Sequence, residues 1–173
     1  MISEDDDSYT INLKSKDGVV FEIQSSAAKI SVLVVTTIDL DDEDEYDEDR
    51  KPTVEIPKVE STCLSKVVDF CNHYMKEPLR PIKTPLEGNS LEEVVTQEWY
   101  RNFVSVEQSL LFQLVQAANF MEIQPLLDLA CLQVSTILMG KSAEEIRVIL
   151  NIPRMTAEEE AKARREHRWV FED

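Results

Sequence analysis

The residues of this 173-residue chain best suited to nucleophilic or metal chemistry are few: His73 and His167, with Cys63, Cys71 and Cys131. A metal site or an activated thiol needs such groups to converge. Cys71 and His73 are a neighbouring thiol–imidazole pair, but their spacing matches no common zinc signature, and His167 lies in a distant segment. Cys63 and Cys71 read as small core residues of a helix rather than redox centres. The chain holds only three glycines, with no glycine-rich phosphate loop and no G-x-S-x-G elbow. Carboxylates abound, but they sit in charged runs where solvation is the default. The longest, DLDDEDEYDED at 39–49, lacks the glycine and terminal glutamate of a calcium loop. No catalytic constellation emerges. The expectation is a non-enzymatic binding or scaffolding module with no metal and no cofactor.

Composition narrows the partners. A formal net charge of −16 repels nucleic-acid phosphates and anionic lipid surfaces, so neither is expected as a partner. No apolar run approaches the roughly 20 residues of a membrane span, and the acidic start MISEDDDSYT is unlike a signal peptide. An odd, sparse cysteine set points to a reducing compartment, cytoplasmic and nuclear. Apolar content of 43% supports a folded domain.

The element that any docking function must use is the stretch from Ser105 to Met139, SVEQSLLFQLVQAANFMEIQPLLDLACLQVSTILM. Wound as a helix, it carries Leu110, Leu114, Ala118 and Met121 down one face. Leu111, Phe112 and Val115 fall on others. A helix apolar nearly all round must be covered on most sides. The rail of Leu110, Leu114 and Met121 is expected to serve the fold, which leaves apolar surface for a second cover. Ser105 with Gln108 reads as a capping box. Gln124-Pro125 breaks the pattern and lets a second helix begin at Leu126, with Gly140 as its C-terminal cap.

The elements before it read as an α/β unit. Tyr9, Ile11 and Leu13 alternate like a half-buried strand, Lys16-Asp17-Gly18 turns it, and 19–23 returns. A helix over Ala27–Ile38, capped by Ser25 or Ser26, competes with the β preference of its branched residues. The acidic run, about 39–51, is expected to be a disordered loop. A strand at 53–57 ends at Pro57, and a helix from Glu60 to Lys76 stops at Glu77-Pro78. A proline-rich loop spans about 78–90, and Leu91–Phe103 forms a helix anchored by Trp99, Tyr100 and Phe103. Two more helices follow, each with a capping box: Ser142/Glu145 over 143–150 and Thr156/Glu159 over 157 to about 168. The last has glutamates at its start and arginines at its end, matching the macrodipole, yet no apolar stripe before Trp169. It reads as an arm that closes over something.

The helical half resembles the Skp family, adaptor subunits that link F-box proteins to a cullin in Skp–cullin–F-box ubiquitin ligases. The resemblance is carried by Leu111-Phe112 through Ala117-Ala118-Asn119-Phe120, Leu126-Leu127-Asp128, Gly140-Lys141, Glu144-Glu145-Ile146-Arg147, Asn151-Ile152, Thr156 through Glu160, Arg164 to Glu166, and Trp169. Ser15 to Gly18, Ile56-Pro57 and Cys71 extend it more loosely through the first half. It implies a BTB/POZ α/β fold over 1–139, with a short three-stranded sheet packed by helices. A two-helix C-terminal extension over 140–173 would complete an F-box-binding surface.

By the same resemblance, the F-box side is Leu111, Phe112, Val115, Leu126, Leu127, Cys131, Val134, Ile152 and Trp169. The cullin side centres on Asn119 and Phe120. The implied role is a non-catalytic subunit of a hetero-oligomer that bridges a cullin to F-box substrate receptors. The alternative is an F-box-binding scaffold in a kinetochore or trafficking complex that has no cullin. Two departures from the family pattern are specific. Trp99 is followed by Tyr100 where the family has a Trp-Asp pair, and Phe120 stands where the family has tyrosine.

Overall fold

Alternation of apolar and polar side chains from Thr10 to Ser15 builds the central strand of the sheet, β1, burying Ile11, Leu13 and Ser15 on one face. The computed structural model describes residues 9–41, 51–86 and 88–170. Strand β2 (Val20–Gln24) returns antiparallel to β1, with Ile11 opposite Ile23 and Leu13 opposite Phe21. Gly18 makes the turn possible at φ +84°, a backbone state that costs L-residues and not glycine. Strand β3 (Thr53–Ile56) lies parallel on the other side, Leu13 opposite Val54, so the order is β2-β1-β3. The three-stranded sheet and the surrounding helices form the expected BTB/POZ α/β fold.

Between β2 and β3 the expected single helix is two. Helix α1 (Ser25–Ala28) stops at Lys29, and α2 (Val32–Asp41) restarts after Ser31. Ser31 is the reason. Its buried Oγ accepts from the Val34 amide at 3.3 Å as an N-cap and donates to the Met121 carbonyl at 2.6 Å. Helix α2 runs through 39–41, the first residues of the acidic run; 42–50 lie outside the described residues.

Helix α3 (Ser61–Lys76) buries Cys63, Leu64, Val67, Val68, Phe70 and Cys71 against α1, β2 and α6 (Gln108–Phe120). Its N-terminus is satisfied from outside the helix. The Asp17 carboxylate, in the β1–β2 turn, accepts from Ser61 N at 2.8 Å and Ser61 Oγ at 2.6 Å. The expected helix over 91–103 is again two, α4 (Leu91–Val94) and α5 (Glu98–Val104). The break at Val95–Gln97 is held by side chains. Gln97 Nε2 donates to the Glu77 carboxylate and the Pro78 carbonyl, and its Oε1 accepts from Arg80 N. Arg101 Nη1 donates to the carbonyls of Val95 and Thr96.

Helix α6 begins at Gln108, not Ser105, and the Ser105/Gln108 box is not formed. Ser105 instead ends α5, its Oγ donating to the Arg101 carbonyl at 2.7 Å. Helix α7 (Gln124–Leu138) follows after a tight corner, with Gly140 left-handed just past its end.

The chain divides into two compact units, Met1–Ile137 and Leu138–Asp173. The second contains α8 (Ala143–Ile149), α9 (Ala157–Glu166) and a short 3-10 turn, Arg168–Val170. Both capping boxes form: Ser142 with Glu145, and Thr156 with Glu159.

Candidate functional site

Helical spacing decides which apolar residues of α6 are core and which are surface. Leu111, Leu114, Ala118 and Met121 recur at three- and four-residue steps and are all buried. Leu111 and Leu126 are both 0% exposed, and this corrects their expected place on a docking surface. They fill the first unit's interior. The buried rail therefore runs through Leu111, while Leu110 sits half-buried at its edge. One residue round the helix, Phe112 and Val115 are half-buried and one turn apart. On α7, Leu127 and Val134 are half-buried and Cys131 between them is exposed. Their steps of four and three residues put them on one stripe. The buried residues of α7 are Leu126, Leu129, Ala130 and Leu132.

In the second unit no described residue from Met139 to Trp169 is buried. Its helices are held by caps and ion pairs. The Glu145 and Glu159 carboxylates accept from the amide and hydroxyl of Ser142 and Thr156, which holds both glutamates below their usual pKa. Arg164 bridges to Glu160 at 2.9 Å, and Arg154 to Glu144 at 3.6 Å. Asn151 is left-handed at φ 51° and closes α8 in a Schellman motif. Ile152 N donates to the Arg147 carbonyl, and Asn151 N to that of Val148. This stop places Ile152 on the surface, 49% exposed, and Trp169 is 76% exposed. Val148, 79% exposed, and Met155, also exposed, add apolar surface outside the apolar stripes of the sequence. For Val148 the available signal was an apolar residue on the polar side of a short capped helix.

The Asn119–Phe120 edge terminates α6. Asn119 is exposed and Phe120 half-buried. The corner beyond is a second Schellman motif, with Ile123 N donating to the Ala118 carbonyl and Glu122 N to that of Asn119. Glu122 holds the left-handed position at φ 52°. Lys58, in the loop after β3, lies with its Nζ 4.9 Å from the centroid of the Phe120 ring. Beside it is a cavity of about 210 Å³ lined by Lys16, Lys58, Glu60, Gln113 and Gln116. Lys58 went unnoticed in the sequence because only the fold brings that loop to α6.

The chemistry-bearing side chains are held apart. Cys63 and Cys71 are buried, and burial pushes their thiols up to about 11 and about 12, far from thiolate at neutral pH. His73 stacks face to face on Trp99, centroids 3.7 Å apart at 8°, and meets Tyr100 edge-on. Its Nε2 lies 3.9 Å from the Glu77 carboxylate, too far for a hydrogen bond, and has no hydrogen-bond partner among the described residues. The open cavity beside it, about 500 Å³, is lined by Lys66, Asp69, Lys76, Trp99 and Phe103. Among the described residues no three His, Cys, Asp or Glu side chains gather as a metal site would require.

Comparison with known proteins agrees with this architecture. Residues 1–76 match the model of the Skp1 family tetramerisation domain, of POZ type, and residues 124–170 match the Skp1 family dimerisation domain. The chain is 36% identical over 160 residues to the SCF ubiquitin ligase complex protein SKP1a of Dictyostelium discoideum, an alignment covering 92% of this chain and 94% of that protein. SKP1b of the same organism matches equally. SKP1-like protein 1A of Arabidopsis thaliana is 34% identical over 163 residues, covering 94% and 97%. With relatives alike along nearly the full length of both chains, and both family models matched in order, this chain belongs to the Skp1 family.

Proposed function

We propose that the chain is the non-catalytic adaptor of a Skp–cullin–F-box ubiquitin ligase. An F-box protein takes the apolar stripes of α6 and α7, at Phe112, Val115, Leu127, Cys131 and Val134, together with Ile152 and Trp169 of the C-terminal unit. A cullin takes the edge at Asn119 and Phe120. The adaptor sets the distance between a bound substrate and the ubiquitin-charged enzyme and transfers nothing itself. The observation that carries this reading is the C-terminal unit: two capped helices that bury no described residue while presenting Val148, Ile152, Met155 and Trp169 to solvent. Helices without a core gain little from packing on themselves, and apolar anchors of this kind each contribute about 1.5–3 kcal/mol when a partner covers them. The names of the relatives, two of which carry the SCF complex, support the same assignment.

The test is a pair of titrations with a purified F-box protein and a cullin amino-terminal domain. Asn119→Lys with Phe120→Lys is expected to abolish cullin binding and spare the F-box. Truncation from Thr156 onward is expected to weaken the F-box and spare the cullin. F-box binding by the intact chain with no cullin binding would assign it instead to a scaffold of a non-ligase assembly.

A further inference from the structure

Four lysines lie on the sheet and its following loop, and three are neutralised. Lys14 pairs with Glu55 at 2.9 Å, Lys16 with Glu60 at 2.6 Å and Lys51 with Glu22 at 2.7 Å. Lys58 is exposed and forms no ion pair among the described residues; its ammonium rests over the Phe120 ring. On a chain of net charge −16, an unneutralised cation at the rim of a cavity is a local reversal of sign. The cavity is bounded on its α6 side by Gln113 and Gln116, which share a helix face with Phe120 through steps of three and four residues. Glu60, the carboxylate in its wall, is already held by Lys16. What remains open is one ammonium, two amides and an aromatic face, a set that complements a carboxylate on a short stem.

We infer that Lys58 is a specificity-determining residue of the Asn119–Phe120 edge, and that the cavity it shares with Gln113 and Gln116 receives an acidic side chain of the partner docked there. The inference rests on the reading of that edge as the cullin face. Phe120 and Lys58 act as a pair. The ring fixes the ammonium by cation–π attraction without consuming its hydrogen-bond donors, and partner docking removes water from around the charge, which strengthens its attraction to a carboxylate.

The experiment titrates the full chain and its variants with a cullin amino-terminal domain at low salt and at ~0.5 M salt, with F-box binding as control. Lys58→Arg, which keeps charge and stacking, is expected to bind within about twofold of the parent chain. Lys58→Met, which keeps only the apolar stem, loses about threefold to tenfold, and Lys58→Glu more. The losses shrink at high salt, where charge attraction is screened. An acidic-to-lysine change on the cullin is expected to restore binding to Lys58→Glu and to no other variant. Parent-like binding by Lys58→Glu, or a loss that salt leaves unaltered, overturns the inference and leaves the adaptor reading standing. If Lys58→Glu also loses the F-box, its fold is damaged and Lys58→Met decides: undiminished cullin binding there overturns the inference. A parent chain that binds no cullin at either salt removes the adaptor reading, and the inference with it.

Discussion

The Ser31 hydroxyl donates to the Met121 carbonyl across 2.6 Å, joining residues 90 apart in the chain. The same oxygen caps α2 through Val34 N. One buried side chain thus starts a helix and ties it to the α6–α7 corner, from which the proposed docking stripes on α6 and α7 diverge. Val32 N and Leu33 N reinforce the joint by reaching the Glu122 and Met121 carbonyls.

Ser31→Ala removes a cap and leaves the buried Met121 carbonyl with only the longer bond from Leu33 N. The lost cap costs about 0.5–2 kcal/mol and the lost hydrogen bond about 0.5–1.5 kcal/mol, so urea unfolding is expected to show a destabilisation of about 1–3.5 kcal/mol. Ser31→Thr, which keeps the hydroxyl, should cost less; equal effects would mean that the hydrogen bonds are not the cause.

Glu122 occupies the left-handed position of the α6–α7 corner at φ 52°, where a Cβ is unfavourable. Glu122→Gly relieves that strain at the expense of a more flexible unfolded chain, a net gain of about 0.5–1 kcal/mol. The thermal midpoint should rise. A fall would show that the Glu122 side chain holds the corner through contacts that outweigh its backbone strain.

Adjacent residues on α6 should separate fold from binding. Leu111→Ala empties core space and is expected to cost about 2–5 kcal/mol of stability. Phe112→Ala is expected to leave the unfolding midpoint nearly unchanged and to weaken F-box binding by over about 1 kcal/mol in a calorimetric titration. The reverse pattern would relocate the docking stripe.

The Asp17 carboxyl, bonded first by the Ser61 hydroxyl and then by Ser15, is held down at about 2. Its value in an unfolded chain is near 3.9. Because the folded value is the lower one, the stabilisation is complete above about pH 4 and is lost as pH falls toward 2. Asp17→Asn should flatten the pH dependence of stability in that window while retaining some capping at neutral pH. An unchanged acid profile would show that the α3 N-terminus does not depend on this charge.

Much of the architecture was legible because it is written in local periodicity. The hairpin, β3, α3 and both C-terminal capping boxes each need only neighbouring residues to agree, and those boxes form as the spacing of Ser142/Glu145 and Thr156/Glu159 predicts. Local signals failed where a competing side-chain hydrogen bond decided. The Ser105/Gln108 pattern lost to the bond from Ser105 to Arg101. The helix over 27–38 split because Ser31 satisfies Met121 as well as its own helix. The break at 95–97 depends on Gln97 reaching Glu77 and Pro78, and on Arg101 reaching back to the Val95 and Thr96 carbonyls.

By itself the sequence determined the fold class, the surplus of apolar faces in 105–139 and the coreless helix after Thr156, since periodicity and charge are properties of the chain read in order. Only the tertiary structure decided that Leu111 and Leu126 are interior while Phe112 and Leu127 are surface, because a helix apolar on several sides takes its orientation from what packs against it. It alone set Lys58 over Phe120, a pairing of a loop and a helix far apart in the chain that no spacing rule encodes.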